Sequence, residues 1–151
     1  MPNWVRGEYE ITTDPVCINP ETVQSWLAST YWANGIPLET VVRSMEGSEC
    51  FGVLHGAALV AFARVVTDYA TFAWVCDVYV DEPFRRKGLA KWLINAMREH
   101  PRLQNLRRWA LATRDAHEIY KQCGYTLLRR PQNWLEIRAD APYGVAASPD
   151  V

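Results

Sequence analysis

The sequence has almost no excess of charge of either sign. Sixteen Lys and Arg residues are balanced by seventeen Asp and Glu residues, which leaves a net charge of −1 at neutral pH. A protein that binds nucleic acid or an anionic membrane over a broad surface needs a basic excess, because phosphate contacts supply much of that affinity. The balance therefore argues against both partners and predicts that any charged site is local.

Paired cysteine motifs and histidine clusters are also missing. The cysteines have neither C-x-x-C spacing nor the density of a disulfide scaffold; they are Cys17, Cys50, Cys76 and Cys123. We interpret them as reduced thiols, which predicts a cytoplasmic protein. The three histidines are scattered and no cysteine lies at ligand spacing, so we expect no metal site.

No apolar run approaches the ~20 residues that a membrane helix needs. The first residues also lack a basic segment followed by an apolar one, so we expect neither a leader peptide nor membrane attachment. A chain of 151 residues fits one domain with a substantial core. We place that domain at residues 1–138. Residues 139–151 are rich in small residues and proline, which predicts a flexible tail.

The most informative stretch that is present runs D-E-P-F-R-R-K-G-L-A from Asp81 to Ala90. Arg85, Arg86 and Lys87 lie at the positive end of a predicted helix. Each positive charge there is unfavourable by roughly 0.3 kcal/mol. Gly88 costs about 1 kcal/mol relative to alanine in a helix, yet it opens the backbone to a ligand. Because free amides at a helix start bind phosphate, this turn predicts an anion site.

The elements around the basic turn follow from apolar spacing. Residues 72–80 are apolar, β-branched and aromatic, which predicts a buried strand, and residues 86–100 repeat apolar positions with the period of a helix. We also predict helices at 20–31, 38–45 and 115–122, with Asn19 and Gly124 as caps. The remaining predicted strands are 8–13, 50–54, 57–66 and 106–112, with a closing pair at 125–128 and 134–137.

Two motifs resemble a known family. The pattern R-x-x-G-x-A, on Arg85, Gly88 and Ala90 after the strand ending V-Y-V, resembles the pyrophosphate loop of the GNAT acetyltransferase superfamily, which binds acetyl-CoA. The stretch L-A-T-R-D-A-H-E-I-Y-K-Q-C-G-Y at residues 111–125 resembles a later segment of that family, with the spacing A-x-x-x-Y-x-x-x-G-[FY]. Together they cover roughly residues 51–137.

The resemblance implies a fold and an activity. The fold is α/β (α+β), with a central mixed, mostly antiparallel twisted sheet of six to seven strands flanked by about four helices. The activity is acetyl-CoA-dependent N-acetylation by direct transfer to a primary amine of a small molecule or peptide. Family members often dimerise, so a homodimer is expected as well.

The resemblance also implies the acetyl-CoA contacts. The open edge of the preceding strand would pair with the pantetheine arm like an added strand, in the space where two parallel strands splay apart. Thr113 stands where many members have an asparagine that contacts the same arm, and it offers only a short hydroxyl. The predicted acetyl-CoA residues are Val78, Tyr79, Val80, Arg85, Arg86, Lys87, Gly88, Leu89, Ala90 and Thr113.

Two residues are candidates for catalysis. Tyr120 matches the family position of a tyrosine proposed to protonate the departing thiolate, although a tyrosine of the core would have the same spacing. Asp77 is the acid inside the apolar strand, where an ionised carboxylate needs a partner or a purpose. It could accept a proton from the amine, bind the ammonium group, or pair with an arginine such as Arg64.

The acceptor site is less defined. Trp26, Tyr31 and Trp32 could line a pocket and Asp68 could close its rim, although core packing explains the aromatic residues equally well. His117 is more simply a surface or capping residue.

Two other functions remain open from the sequence. One is a CoA-binding regulatory module without turnover, and the other is a nucleic-acid-binding domain that uses the basic turn, which the balanced charge disfavours.

Overall fold

A computed structural model describes residues 4–145. Their six strands form one sheet in the order β1-β2-β3-β4-β5-β6. All neighbouring strands are antiparallel except β5 and β6, which are parallel. The strands are β1 (Trp4–Arg6), β2 (Tyr9–Thr12), β3 (Glu49–His55), β4 (Ala58–Thr67), β5 (Phe72–Val80) and β6 (Arg108–Ala110).

Four α-helices cover the two faces of this sheet. They are α1 (Pro20–Leu27), α2 (Leu38–Glu46), α3 (Leu89–Glu99) and α4 (His117–Gln122). Leu93 and Met97 of α3 are fully buried in a cluster with Phe51 on one face. Val23 of α1 and Val41 of α2 are buried with Phe62 in a second cluster on the other face. The mixed sheet with helices on both sides confirms the expected fold class.

Local signals determine where several helices begin and end. Asn19 accepts a hydrogen bond from the Glu21 amide at 2.8 Å, as expected of the residue before a helix that begins with proline. The helix predicted to reach Tyr31 ends at Leu27, because the chain turns there and the Thr30 amide bonds to the Leu27 carbonyl. The helix predicted from Arg86 begins at Leu89, since Arg86 and Gly88 have left-handed φ angles of +63° and +75°.

The largest departure from expectation lies near the C-terminal end. Residues 125–128 and 134–137, expected to close the sheet as paired strands, form no strand in the described chain, and β6 is an edge strand. A short 3-10 turn at Pro131–Asn133 separates them. The first strand, Trp4–Arg6, was not anticipated. Of the predicted tail, residues 139–145 contain no helix or strand, Tyr143 packs against the second cluster, and 146–151 lie outside the described residues.

Candidate active site

A cleft of about 410 Å³ opens where β5 and β6 separate. The two strands pair only through Phe72–Arg108, Ala73–Trp109 and Trp74–Ala110. Beyond Trp74 the second half of β5 forms one wall, and residues 112–116 with Tyr120 form the other. Parallel strands that diverge in this way leave backbone groups of β5 open to an extended ligand. The cleft therefore has the position that the resemblance implied for the pantetheine arm.

Asp77 lies on this wall because β5 carries a bulge. Between the pairs Arg64–Cys76 and Phe62–Tyr79, β4 has one residue and β5 has two, Asp77 and Val78. Asp77 is the bulged residue, and it has a left-handed φ of +56°. A non-glycine residue is costly in that conformation, so strong contacts are needed to hold it.

Those contacts occupy both carboxylate oxygens of Asp77. Arg64 Nε donates to Oδ2 at 2.6 Å, and Trp32 Nε1 donates to Oδ1 at 2.9 Å. The ion pair is buried, with 18% of the Arg64 side chain and 7% of the Asp77 side chain exposed. Pairing with Arg64, one of the three interpretations considered for Asp77, is thus present. Asp77 nevertheless borders the cleft, so the other two interpretations stay predictions.

The Arg64 guanidinium is held in its charged form by the same pairing. Burial by itself lowers the pKa of Arg64, but the charge and hydrogen bond of Asp77 outweigh burial and raise the pKa above its usual value. Arg64 Nη1 also donates to Ser48 Oγ at 3.0 Å. The pair is therefore a fixed charge arrangement beneath the cleft, and its partners Trp32 and Ser48 lie after α1 and just before β3.

Tyr120 lies between the main cleft and a smaller one of about 240 Å³. Its ring meets that of Tyr125 edge-on, with 5.7 Å between centroids. Burial, reinforced by the neighbouring Tyr125 and Tyr31, raises the pKa of Tyr120 above its ordinary value. The phenol is consequently protonated at neutral pH and available as a hydrogen-bond or proton donor to a group in the cleft.

Two aromatic residues extend the cleft towards α1. Arg114 donates its backbone N–H to Tyr31 Oη at 3.1 Å, and its guanidinium carbon lies 3.8 Å from the centre of the Tyr31 ring. The Trp32 ring meets Tyr31 edge-on at 5.0 Å. These contacts join the segment after α1 to the loop after β6. Tyr31 and Trp32 therefore lie in the cleft, as proposed for an acceptor pocket.

The other predicted residues of the acceptor site lie elsewhere. Trp26 stacks on Tyr79 with 5.3 Å between ring centroids and is not among the residues that line the cleft. Asp68 is likewise outside the lining set, because its carboxylate accepts backbone hydrogen bonds from Ala70, Thr71 and Phe72 in the β4–β5 turn. These bonds lower the pKa of Asp68, with the Thr71 hydroxyl bond as the largest contribution. The hydrogen bonds that stabilise this turn therefore account for the carboxylate of Asp68.

Thr113 borders both clefts. Its Oγ1 accepts the Ala116 amide at 3.1 Å, just before α4 begins. The hydroxyl hydrogen is still available as a donor, and the contact of Thr113 with the pantetheine arm stays a prediction. His117, the first residue of α4, is exposed and borders the smaller cleft.

The basic turn stands at the start of α3. Gly88 precedes the helix in a left-handed conformation and supplies no side chain to cap it. Arg85, Arg86 and Lys87 are all exposed, and Arg85 Nε also donates to the Val80 carbonyl at 2.8 Å while its guanidinium lies over the Tyr79 ring. Arg85 therefore ties the turn to the end of β5. The positive helix end and the exposed cations of the turn fit a phosphate group.

One further cation, which the sequence did not reveal, reaches this turn from β1. A Cβ built on Gly88 would lie 3.7 Å from Arg6 Nη1, and the Arg6 guanidinium carbon is 4.9 Å from the centre of the Trp92 ring. Arg6 thus adds positive charge beside Gly88. No sequence signal points to it, since β1 and the turn are far apart in the chain.

The cysteines near the cleft are not activated as nucleophiles. Burial raises the pKa of Cys76 to about 12 and that of Cys50 to about 12, despite the opposing effect of Arg64. A thiol in that state carries almost no thiolate at neutral pH. Cys76 borders the cleft, but it is not suited to a covalent acyl intermediate.

Residues 4–145 contain neither a candidate metal site nor a membrane-spanning helix. No three His, Cys, Asp or Glu side chains in this part of the chain are grouped so that they could hold a metal ion. No helix there is long and apolar enough to cross a membrane.

Comparison with known proteins agrees with the geometry. Residues 17–125 match the sequence model described as the Acetyltransferase (GNAT) family. A crystal structure of a candidate acetyltransferase of that family from Xanthomonas campestris pv. campestris is 40% identical, covering 91% of this chain and 97% of its own, with a TM-score of 0.87. A candidate acetyltransferase of Gibberella zeae is 27% identical over 141 residues, 78% of each chain.

A more distant structure shows the same architecture. Glucosamine-6-phosphate N-acetyltransferase from Arabidopsis thaliana is 14% identical, with a TM-score of 0.62 over 87% of this chain and 97% of its own. At that identity the likeness concerns the fold alone.

Proposed function

The chain belongs to the GNAT acetyltransferase family, and we propose that it transfers the acetyl group of acetyl-CoA directly to a primary amine of a small molecule or peptide. The observation that carries this proposal is the cleft between the separating strands β5 and β6, with Tyr120 on one wall and the open half of β5 on the other. Family membership supports acyl transfer in general, and the cleft supports this more specific reaction.

Acetyl-CoA would supply the activated acyl group, and the protein would position it at both ends. The amides at the start of α3, the exposed Arg86 and Lys87, and the nearby Arg6 suit the pyrophosphate. The unpaired edge of β5 up to Val80 suits the two amide groups of the pantetheine arm. The thioester would then reach the part of the cleft bordered by Asp77 and Tyr120.

The acceptor must lose a proton before it can react. A primary amine has a reference pKa near ~10 and is mostly cationic at neutral pH. The carboxylate of Asp77 and the aromatic faces of Tyr31 and Trp32 favour a cation in the cleft. Because both Asp77 oxygens already accept hydrogen bonds, we propose that the ammonium proton leaves through water beside this carboxylate.

The transfer itself then needs one bond formed and one broken. The amine nitrogen forms a bond to the thioester carbonyl carbon, the carbon–sulfur bond breaks, and the nitrogen loses its remaining excess proton to water. Tyr120 donates its phenolic proton to the departing sulfur and regains a proton from solvent. Since the pKa of Tyr120 is raised, proton donation must accompany C–S cleavage rather than precede it.

Thiol release tests this proposal. Purified protein and acetyl-CoA are incubated with amino acids, polyamines, amino sugars and peptides, and each product is checked by mass spectrometry for an acetylated amine. Release with one amine class and the matching acetyl-amine supports the proposal. Binding of acetyl-CoA without transfer to any amine favours the regulatory module instead, and a product acetylated on oxygen contradicts amine specificity.

A further inference from the structure

A cavity of about 850 Å³ lies between β6, the end of α3 and the segment that follows α4. Among residues 4–145, no aspartate or glutamate lines it. It shares no lining residue with the cleft that contains Asp77 and Tyr120, so it is a separate place on the molecule. We call it the basic cavity because five arginines line it: Arg98, Arg107, Arg108, Arg129 and Arg130.

The positive charge of the basic cavity is not balanced by the protein. None of the five arginines forms an ion pair with a carboxylate of residues 4–145, and all five are exposed. A single exposed arginine needs no partner beyond water. Several like charges around one cavity repel each other, and the low-dielectric walls of a cavity focus their field. This arrangement therefore favours the entry of a multivalent anion.

Neutral partners hold two of these guanidinium groups in place. Arg98 Nη1 donates to the Cys123 carbonyl at 3.1 Å, and a Cβ built on Gly124 would lie 3.1 Å from the same nitrogen. The Arg108 guanidinium carbon lies 4.9 Å from the centre of the Trp134 ring. Neither contact neutralises the charge, and each leaves guanidinium N–H groups that can donate to a ligand. The fold thus positions these two cations without supplying an anion.

The segment that closes the cavity also supplies backbone donors. The amides of residues 126–130 donate to no other backbone group within the described chain, and these residues all line the cavity. Asn133 lines it as well and adds a carboxamide, which can donate hydrogen bonds. Phosphate oxygens accept hydrogen bonds from backbone amides and from arginine side chains alike. The wall of the basic cavity is therefore rich in donors suited to phosphate.

We propose that the basic cavity binds a small molecule that carries several phosphate groups. The planar guanidinium group of arginine matches a phosphate group with two parallel hydrogen bonds, which gives arginine an advantage over lysine in such sites. Five cations exceed the charge of one phosphate group, so a ligand with several of them is the better match. The cavity volume of about 850 Å³ lies within the range of ~300–1,000 Å³ that is usual for small-molecule sites.

The location of the charge favours a small ligand over a nucleic acid strand. A strand needs cations along a surface, whereas this chain has a net charge of −1 and gathers five arginines around one cavity. Half-buried Trp109 and Trp134 also line the cavity, and nucleotide bases stack on aromatic rings. Nucleoside polyphosphates and inorganic polyphosphate share the chemistry that the arginines recognise. They differ in the base, which only a nucleotide can place against tryptophan.

Calorimetric titration of the full chain with tripolyphosphate, in a phosphate-free buffer of constant ionic strength, tests the binding. The double variant Arg129→Gln, Arg130→Gln should bind tripolyphosphate about tenfold more weakly than the wild type, because two charged donors are removed. The double variant Arg86→Gln, Lys87→Gln removes the same charge from the turn before α3 and should keep the binding in the cavity. All four side chains are exposed, and circular dichroism checks that both variants are folded.

Amide hydrogen exchange on the same samples locates the ligand. Tripolyphosphate should protect residues 126–130 in the wild type, and this protection should be lost in Arg129→Gln, Arg130→Gln. ATP distinguishes the two sources: tighter binding of ATP than of tripolyphosphate assigns a nucleotide, whereas equal or weaker binding assigns the phosphate chain alone. Either result supports the proposal.

Three results overturn it. They are no binding to the wild type, equal affinity and protection in the wild type and in Arg129→Gln, Arg130→Gln, and binding of a single-stranded oligonucleotide without binding of tripolyphosphate.

Titration with acetyl-CoA separates this proposal from the proposed function. The variant Arg129→Gln, Arg130→Gln should bind acetyl-CoA as the wild type does, whereas Arg86→Gln, Lys87→Gln should bind it more weakly. A protein that binds tripolyphosphate in the basic cavity but does not bind acetyl-CoA contradicts the acetyl-CoA site alone. A protein that binds acetyl-CoA but fails the tripolyphosphate test contradicts the basic cavity alone.

Discussion

Arg64 and Asp77 form a buried ion pair, with 2.6 Å between Nε and Oδ2, directly beneath the cleft between β5 and β6. The pair holds the β5 bulge, where Asp77 has a φ of +56°. Trp32 donates to the second carboxylate oxygen, so the segment after α1 is fixed to the same point. The Asp77 carboxylate therefore holds the bulge of β5 in place and fixes the Trp32 ring on the wall of the cleft. It also places negative charge near the proposed acceptor.

We predict that Asp77→Asn lowers the free energy of unfolding by about 3 kcal/mol, because it leaves the Arg64 charge buried without a counter-charge. Urea unfolding measures this loss. The double variant Arg64→Met, Asp77→Asn should recover much of the stability. Equal losses in the single and double variants would show that the unpaired Arg64 charge is not the cause.

The pH dependence of the same Asp77 variant separates its chemical roles. If Asp77 accepts the substrate proton, the acid limb of the pH–rate profile should change in shape in Asp77→Asn. An unchanged profile at lower stability would leave Asp77 with a structural or anchoring role.

Tyr120→Phe should lower kcat by roughly 100-fold or more while leaving acetyl-CoA affinity nearly unchanged, since a general acid acts in the transition state. Steady-state kinetics and calorimetric titration provide the two numbers. Tyr125→Phe is the matched control, because its hydroxyl is buried and has no hydrogen-bond partner in the described chain. That control should retain turnover, and a Tyr120→Phe enzyme with wild-type kcat would remove the assignment.

The pH profile of the wild type should show no alkaline loss of kcat below about pH 10, the ordinary pKa of tyrosine. The acid form of Tyr120 is the active one, and burial raises its pKa, so deprotonation moves to higher pH. Turnover measured from pH 6 to 10 in buffers of constant ionic strength checks this. An alkaline limb centred near pH 8 would assign the proton to another group.

Gly88→Ala should weaken acetyl-CoA binding about tenfold and destabilise the fold by about 1–2 kcal/mol, because alanine is strained at a φ of +75°. Gly56→Ala is a matched control: it has a φ of +62°, with no atom within 4 Å of a built Cβ, in the β3–β4 turn. Its stability loss should be similar and its acetyl-CoA affinity unchanged. Equal affinity in both variants would argue against the turn as the phosphate site.

His100 should make the fold less stable in mild acid. Burial lowers the pKa of His100 against the opposing effect of Glu49, and its Nδ1 accepts the Arg102 amide at 3.2 Å, which requires an unprotonated Nδ1. Below about pH 6.5 the unfolded chain binds a proton that the folded chain resists, so stability falls as pH falls, by at most ~1.4 kcal/mol per pH unit.

Urea unfolding at pH 7, 6 and 5 measures this dependence. His100→Gln should flatten it, because that variant removes the buried imidazole. A wild-type stability that rises between pH 7 and 5 would reverse the assigned direction.

The sequence predicted the part of the site that is local in the chain. Residues from Phe72 to Glu99 form the expected strand, basic turn and helix, because apolar spacing and Gly88 act over a few residues. The sequence did not predict the contact of Asp77 with Trp32 or the approach of Arg6 to Gly88, since both depend on how distant segments pack. Residues 125–128 and 134–137 have strand-like composition, but composition does not specify the edge with which a strand pairs.

The most direct test of the central claim is amide hydrogen exchange with and without acetyl-CoA, on protein whose binding is measured by calorimetry. We predict binding at one site per chain, with new protection at residues 78–80 of β5 and at 88–91 where α3 begins. Absence of binding, or protection confined to other parts of the chain, would contradict acetyl-CoA binding in the cleft between β5 and β6.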